Sequence, residues 1–242
     1  MSILSKKKII ELLDRGEIVF DPGLDEFQLS PIAVDIRVGT NFFVPRLSEV
    51  SEEGRVELII DHLDNRSKNE VLDQLNLGPG QVFQLLPGEF ILISSLEKIS
   101  IKTGNIMAML FPRSSTSRRG LSIESGIVDP YYDGNLTIPI LNQTKTQTIK
   151  IYPGERIAQL VFQEIGQALS EEEAENHGLS KPKYQGTKAY RLDYKFDSHE
   201  EINLLREGKI DEIKKNHLVE VKTITKKTNK SEKNQASPQL SL

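Results

Sequence analysis

An all-β barrel or sandwich, with one short helix before it and a helical, then unstructured, extension after it, is the architecture predicted by this sequence of 242 residues. Three observations predict it. From Ile18 to about Phe162 the chain runs in short apolar or β-branched stretches broken by Gly, Pro, Asn and Asp, the spacing of a many-stranded sheet. Ahead of that region lies one amphipathic stretch of helical period. Beyond it the apolar residues thin out and recur only at helical spacing.

The helix is Ser5–Gly16: Ser5 caps it, Ile9, Ile10, Leu12 and Leu13 cluster on one face, and Gly16 ends it. Strands are expected at Val34–Val38, Val82–Leu86, Phe90–Ile93, Ile106–Phe111, Leu136–Leu141, Thr148–Tyr152 and Ile157–Phe162. The polar stretch Glu52–Asn76, anchored by Leu58, Ile59, Ile60 and Leu63, reads as an excursion between strands. A Glu-rich run, Ser170–Glu175, follows the last strand, and Lys181–Tyr194 has the composition of a surface arm. Ile202, Leu204, Leu205, Ile210, Ile213 and Leu218 suit helices within Ser198–Val221. The last 21 residues hold five Lys and one Glu, so the tail carries +4 and leaves −8 on residues 1–221 of a chain whose net charge is −4. A solvated tail is the expectation, with no nucleic-acid partner. The divisions are 1–195 for the β domain with its arm, 196–221 for the helical extension and 222–242 for the tail.

With 37% hydrophobic and 27% charged residues, the composition excludes a fibre, a coiled coil or wholesale disorder. No stretch of about 18 apolar residues occurs, and the N-terminus MSILSKKKII carries charge where a leader is apolar, so a cytoplasmic protein with no membrane partner is expected. The absence of cysteine excludes disulfides, Cys nucleophiles, iron–sulfur clusters and the Cys-ligated zinc of nucleobase deaminases. No GxxxxGK[ST], GxGxxG, HExxH or GxSxG motif is present, and His62, His177, His199 and His217 stand far apart in polar surroundings. No metal held by protein side chains is expected.

The chemistry concentrates between Phe111 and Gln163. Phe111–Gly120 places three Arg and four Ser or Thr in ten residues directly after an apolar strand. Guanidinium forks and hydroxyls together suit phosphate, although a solvated loop with one Arg paired to a core carboxylate also fits. Asp129 follows two apolar residues in Gly126–Gly134; a carboxylate there serves as a base, or caps a turn as Asp-Pro pairs do. An aromatic three residues on, Tyr132, can stack on a sugar or base. Gln159 lies polar among apolar neighbours in Pro153–Phe162 and needs partners.

PRSS, GIVDPYYDG and PGERIAQLVF, in this order and preceded by Ala33–Gly39, resemble the motifs of the dUTPase superfamily, which includes trimeric dUTP pyrophosphatases and dCTP deaminases. The opening through Pro22, the Pro87–Phe90 turn and Lys183-Tyr184-Gln185-Gly186 resemble the deaminase branch, and the resemblance covers about residues 1–195. It implies a distorted jelly-roll β-barrel, a homotrimer with sites between subunits, and Mg²⁺ carried on the substrate triphosphate. By the same resemblance Asp129 activates the attacking water and Arg113 pairs with Asp129 or a phosphate. Ser114, Ser115, Arg118 and Gln159 hold the triphosphate and the water, and Tyr132 packs beneath the deoxyribose. The hairpin to Asn142 reads the base, and Lys183, Tyr184 and Gln185 close over the phosphates.

The deaminase branch carries a proton-transferring Glu in the strand after the Asp-Pro turn, and Pro139 stands at that position here. Proline moves no proton. The segment from Gly120 to Asp129 is also about two residues shorter than in the deaminases. The expectation is therefore a deaminase-branch scaffold performing dUTP pyrophosphatase chemistry, dUTP to dUMP and pyrophosphate. Two alternatives stand beside it: a dCTP deaminase, alone or with dUTPase activity, in which Glu124 is the nearest acidic carrier in sequence, and a non-catalytic nucleotide sensor.

Overall fold

The structure is a computed structural model that describes residues 2–52, 54–58, 71–175, 186–190 and 198–217. The Lys-rich tail and the arm residues Lys183, Tyr184 and Gln185 lie outside the described residues. The chain divides into two units, residues 1–199 and 200–242.

After the short strand β1 (Ser2–Ile3), helix α1 spans Lys6–Asp14. Ser5 caps it by accepting the Lys8 N–H, and Ile9 and Leu12 face the core while Ile10 stays exposed. Gly16, at φ +67°, turns the chain out of the helix. The strands that follow are β2 (Ile18–Asp21), β3 (Val34–Pro45), β4 (Ser48–Ser51), β5 (Gly54–Glu57), β6 (Leu72–Asn76), β7 (Phe83–Leu85), β8 (Phe90–Ile101) and β9 (Ile106–Pro112). Helix α2 (Ser114–Arg118) precedes β10 (Leu121–Ile123), β11 (Gly126–Val128), β12 (Asp133–Asn142), β13 (Ile149–Ile151) and β14 (Arg156–Glu164). Helix α3 (Glu171–Ala174) follows.

The main sheet is antiparallel, curled into a half-barrel, and ordered β10-β12-β8-β3-β14-β9-β11, with β1 on β14, β2 on β8 and β6 on β3. Its two longest strands, β3 and β8, have 12 residues each and run past the Gly and Ser that suggested their ends. The register of β3 against β8 shifts between Val38 and Phe42. Gly39 sits in that shift, where an added Cβ would lie 2.5 Å from Ser94 Oγ and 2.7 Å from the Ser95 carbonyl. The concave side packs Ile36, Phe42, Ile93, Ile138 and Phe162, all without exposed surface. Phe42 stacks on Phe83 at 5.0 Å, and Phe20 meets Phe162 edge-on at 6.3 Å. Part of the polar excursion belongs to this sheet, because β6 pairs with β3 from Asn41↔Asn76 to Pro45↔Leu72.

The second unit contributes α5 (Ile210–Asn216) and all but the first residue of α4 (His199–Arg206). Among the described residues no helix is long and apolar enough to cross a membrane.

Candidate functional site

Strands β3, β14 and β9 lie side by side, and Gln159 of β14 is in register with Asp35 on one side and Phe111 on the other. Directly opposed residues on paired strands share a face, so Asp35 and Gln159 stand together where β9 gives way to α2. The chain leaves β9 at Pro112, whose carbonyl accepts the Gln159 Nε2–H at 3.5 Å, and turns at Arg113 into α2. One hydroxyl fixes that turn. Thr116 is buried and donates to the Ile157 carbonyl at 2.8 Å, leaving Ser114, Ser115, Ser117 and Arg118 exposed.

Asp35 is only 5% exposed. Its Oδ2 accepts from Arg113 Nε at 2.9 Å and from Arg156 Nη1 at 3.1 Å. Arg113 Nη1 also donates to the Arg156 carbonyl at 2.9 Å, which sets the plane of its guanidinium. Arg156 further donates to the Phe27 carbonyl and lies over the Phe27 ring. Burial raises the Asp35 carboxyl above its ordinary value despite the pull of Arg113, Arg156 and Arg37. Arg113 thus forms an ion pair with Asp35, a carboxylate that the motif resemblance did not name as its partner.

Asp129 follows β11, and its carbonyl accepts the Tyr132 N–H at 3.3 Å, closing a tight turn in which Tyr131 takes φ +60°. Tyr131 is tied by its hydroxyl to the Leu169 carbonyl at 3.2 Å. Tyr132 donates to the Asn135 carbonyl at 2.9 Å, and burial pushes its phenol well above the ordinary value. A cavity of about 410 Å³ opens beside this turn, lined in part by Lys102, Tyr131, Tyr132, Asp133 and Glu171. For Asp133 burial works upward, but hydrogen bonds from Lys98 and Ser100 outweigh it and hold the carboxyl below its ordinary value. The arm returns here as an extra edge: Gly186 N–H donates to the Asp133 carbonyl at 2.7 Å, and Asn135 N–H to the Thr187 carbonyl at 2.8 Å. Gly134 permits the approach, since a Cβ there would lie 3.0 Å from Thr187 N and O.

Strand β12 carries Thr137, Pro139 and Leu141 on its half-open face, while Ile138 and Ile140 point to the core. Pro139 pairs with Leu92 of β8 on one side. On the other side β10 pairs through Ile123↔Ile140, and the Glu124 N–H donates to the Pro139 carbonyl at 3.4 Å. Glu124 thereby lies beside Pro139, just past the end of β10, and is exposed. No sequence spacing signals this; the neighbours are 15 positions apart.

Asn142, at the end of the hairpin that the resemblance assigns to the base, has its side chain committed to the fold. It is fully buried, its amide donates to the Leu85 carbonyl (3.1 Å) and the Gln147 carbonyl (2.9 Å), and its Oδ1 accepts from Thr144 N (3.0 Å) and Oγ1 (2.7 Å). Both donors and both acceptor positions are in use.

A family model described as dCTP deaminase-like matches residues 3–165. The chain belongs to the dCTP deaminase-like family. Within that family it is 33% identical over 165 residues to the "dCTP deaminase, dUMP-forming" of Methanosphaera stadtmanae, covering 67% of this chain and 79% of the relative. The protein of the same description from Persephonella marina is 37% identical over 186 residues, covering 76% of this chain and 92% of the relative. The solved 2′-deoxycytidine 5′-triphosphate deaminase of Agrobacterium tumefaciens superposes with a TM-score of 0.52 at 26% identity, over 70% of this chain; the chain spans half of that structure's length.

These relatives overturn the expectation of a dUTP pyrophosphatase, because the homologues that span most of the chain are dCTP deaminases. That expectation rested on Pro139 and on the shortened Gly120–Asp129 segment. Glu124, the acidic residue of that segment, is hydrogen-bonded through its backbone to Pro139.

Proposed function

We propose that the protein converts dCTP to dUMP: dCTP + 2 H₂O → dUMP + pyrophosphate + NH₃. The observation that carries the proposal is its kinship, over most of its length, with dUMP-forming dCTP deaminases. Deamination needs a group that takes a proton from water and delivers protons to the ring and to the leaving amine. Glu124, exposed beside Pro139, is the carboxylate assigned to that work. Thr137 and Pro139, half-buried on one face of β12, are assigned to the pyrimidine.

Phosphoanhydride cleavage needs an oriented water, a base and charge stabilisation at phosphorus. Asp129 is assigned as the base and Tyr132 as the platform for the deoxyribose. Arg113, Ser114, Ser115, Arg118 and Gln159 are assigned to the triphosphate and the water. Lys183, Tyr184 and Gln185 are assigned to the same triphosphate by resemblance. Mg²⁺ is proposed as a passenger on the triphosphate, where it would neutralise phosphate charge. The assembly is proposed as a homotrimer. Ile127, 67% exposed beside Val128 and Asp129, gives the site an apolar border suited to a subunit contact.

The test is incubation of purified protein with dCTP while ammonia and pyrophosphate are followed separately. Equal yields of both are expected, with Glu124→Gln losing ammonia release and Asp129→Asn losing pyrophosphate release by about 10²-fold or more. Release of no ammonia from dCTP by the unaltered protein refutes the proposal.

A further inference from the structure

Two arginines converge on one buried carboxylate at the end of β3, and their charges do not cancel. Asp35 contributes one negative charge, and Arg113 and Arg156 one positive charge each, leaving the triad at +1. Each guanidinium has five N–H donors, of which Asp35 and the Arg156 and Phe27 carbonyls occupy only some. Both side chains keep part of their surface open, 24% for Arg113 and 30% for Arg156, whereas the Asp35 side chain keeps 7%. The carboxylate therefore faces inward and the cations face outward, beside the exposed hydroxyls of Ser114 and Ser115.

Asp35 is itself held from behind. Gln28 Nε2 donates to the Asp35 carbonyl at 2.9 Å and to Glu97 Oε1 at 2.7 Å, and Glu97 Oε2 accepts the Arg37 N–H at 3.1 Å. Arg37, two residues along, makes no hydrogen bond to Asp35 and is spent on Asp25 (2.7 Å) and the Gly154 carbonyl (2.6 Å). The local cations are thus divided. Arg37 serves the scaffold, while Arg113 and Arg156 hang on one oxygen of Asp35.

We infer that Asp35 is a positioning residue that clamps Arg113 and Arg156 into a two-arginine receptor for the polyphosphate of the substrate, with Arg156 a second anion-binding arginine beside Arg113. The inference rests on assigning Arg113 to the triphosphate. Two guanidinium groups this close repel unless an anion lies between them, and without bound substrate Asp35 is that anion. Its removal makes the site more positive yet frees both arginines to swing apart. Geometry and charge then predict opposite signs.

The experiment measures tripolyphosphate binding to the full chain by calorimetry, a probe that needs no assumption about the nucleoside. Asp35→Asn is expected to weaken binding at least tenfold although it adds a unit of positive charge. Arg113→Lys, which keeps the charge and loses the fork, is expected to weaken it similarly, and the double variant to bind more weakly than either single variant but by less than the product of their separate losses. Should Asp35→Asn not fold, Asp35→Glu keeps the charge and displaces the carboxylate, and a tenfold loss is again expected. Unchanged or tighter binding in either Asp35 variant overturns the inference, as does additivity in the double variant. If the unaltered protein fails to bind tripolyphosphate, the assignment of Arg113 to phosphate falls and the inference with it. If it binds tripolyphosphate but releases no ammonia from dCTP, only the proposed reaction falls.

Discussion

Replacing Asn142 by Ala separates a structural amide from a substrate contact. The side chain is fully buried and makes four hydrogen bonds, to the Leu85 and Gln147 carbonyls and from Thr144 N and Oγ1. Leu85 is fully buried, so its carbonyl loses a partner that water cannot replace, at a cost of about 1–3 kcal/mol. Thr144 and Gln147 lie at the edge of the turn, where water substitutes, and the other three bonds cost about 0.5–1 kcal/mol each. The sum is about 2.5–6 kcal/mol. For a domain of this size Tm falls about 2–4 °C per kcal/mol, so scanning calorimetry should show a drop of about 5–24 °C. At a temperature where the variant remains folded, KM for dCTP should stay within about twofold, since no ligand contact is lost. A Tm drop below about 2 °C together with a tenfold rise in KM would refute the structural assignment and return Asn142 to the substrate.

Three further outcomes are expected. Gly39→Ala drives a Cβ into the Ser94 and Ser95 carbonyls of β8, at 2.9 and 2.7 Å, and should destabilise by about 1–3 kcal/mol in urea melts; an unchanged midpoint would show that the β3–β8 crossing is looser than described. Thr116→Val keeps the shape but leaves the Ile157 carbonyl with only the Arg113 N–H at 3.3 Å, costing about 0.5–1.5 kcal/mol and raising KM as the Arg113–Arg118 turn loosens; an unaltered KM would detach that turn from the phosphates. Burial raises the Glu97 carboxyl above 4.5, so its contribution to stability is full below about pH 4.5 and is lost as pH rises through the folded value. Glu97→Gln should remove that slope, and identical pH profiles of urea midpoint in the two proteins would contradict it.

The alternation of apolar residues made most of the sheet legible, since Val34–Val38, Ile106–Phe111, Leu136–Leu141 and Ile157–Phe162 all lie within strands. Strand β3 was read as ending at Gly39 because Gly-Thr-Asn has turn chemistry. In the fold the glycine accommodates a register shift, and Asn41 is buried with its Oδ1 accepting from Gln74 and Asn76 side chains. Strand β6 was hidden because Leu72–Asn76 pairs along β3 while leaving most of its side chains in solvent, so it shows no buried stripe. Helix α2 was hidden because a Ser-Ser-Thr-Ser run has weak helix propensity, and it is held by Thr116. The site was legible where a motif is contiguous. Asp35 against Arg113 and Glu124 against Pro139 are products of strand pairing, which local sequence does not show.

The place of β14 in the sheet gives the protein an order of completion. Strands β3 and β9 do not pair with each other, because β14 lies between them. At about 5–20 residues per second on the ribosome, the roughly 50 residues from Pro112 to Glu164 take about 3–10 s to emerge, and during that time the growing chain carries β3 and β9 without the strand that joins them. The strand that closes them brings Gln159 and Arg156 to the site and supplies the Ile157 carbonyl that holds Thr116. A nascent chain that has made Arg113, Ser114, Ser115 and Asp129 therefore still lacks Arg156, Gln159 and the carbonyl that anchors Thr116. The last strand of the sheet to be made is the one that joins β3 to β9 and completes the Asp35 cluster.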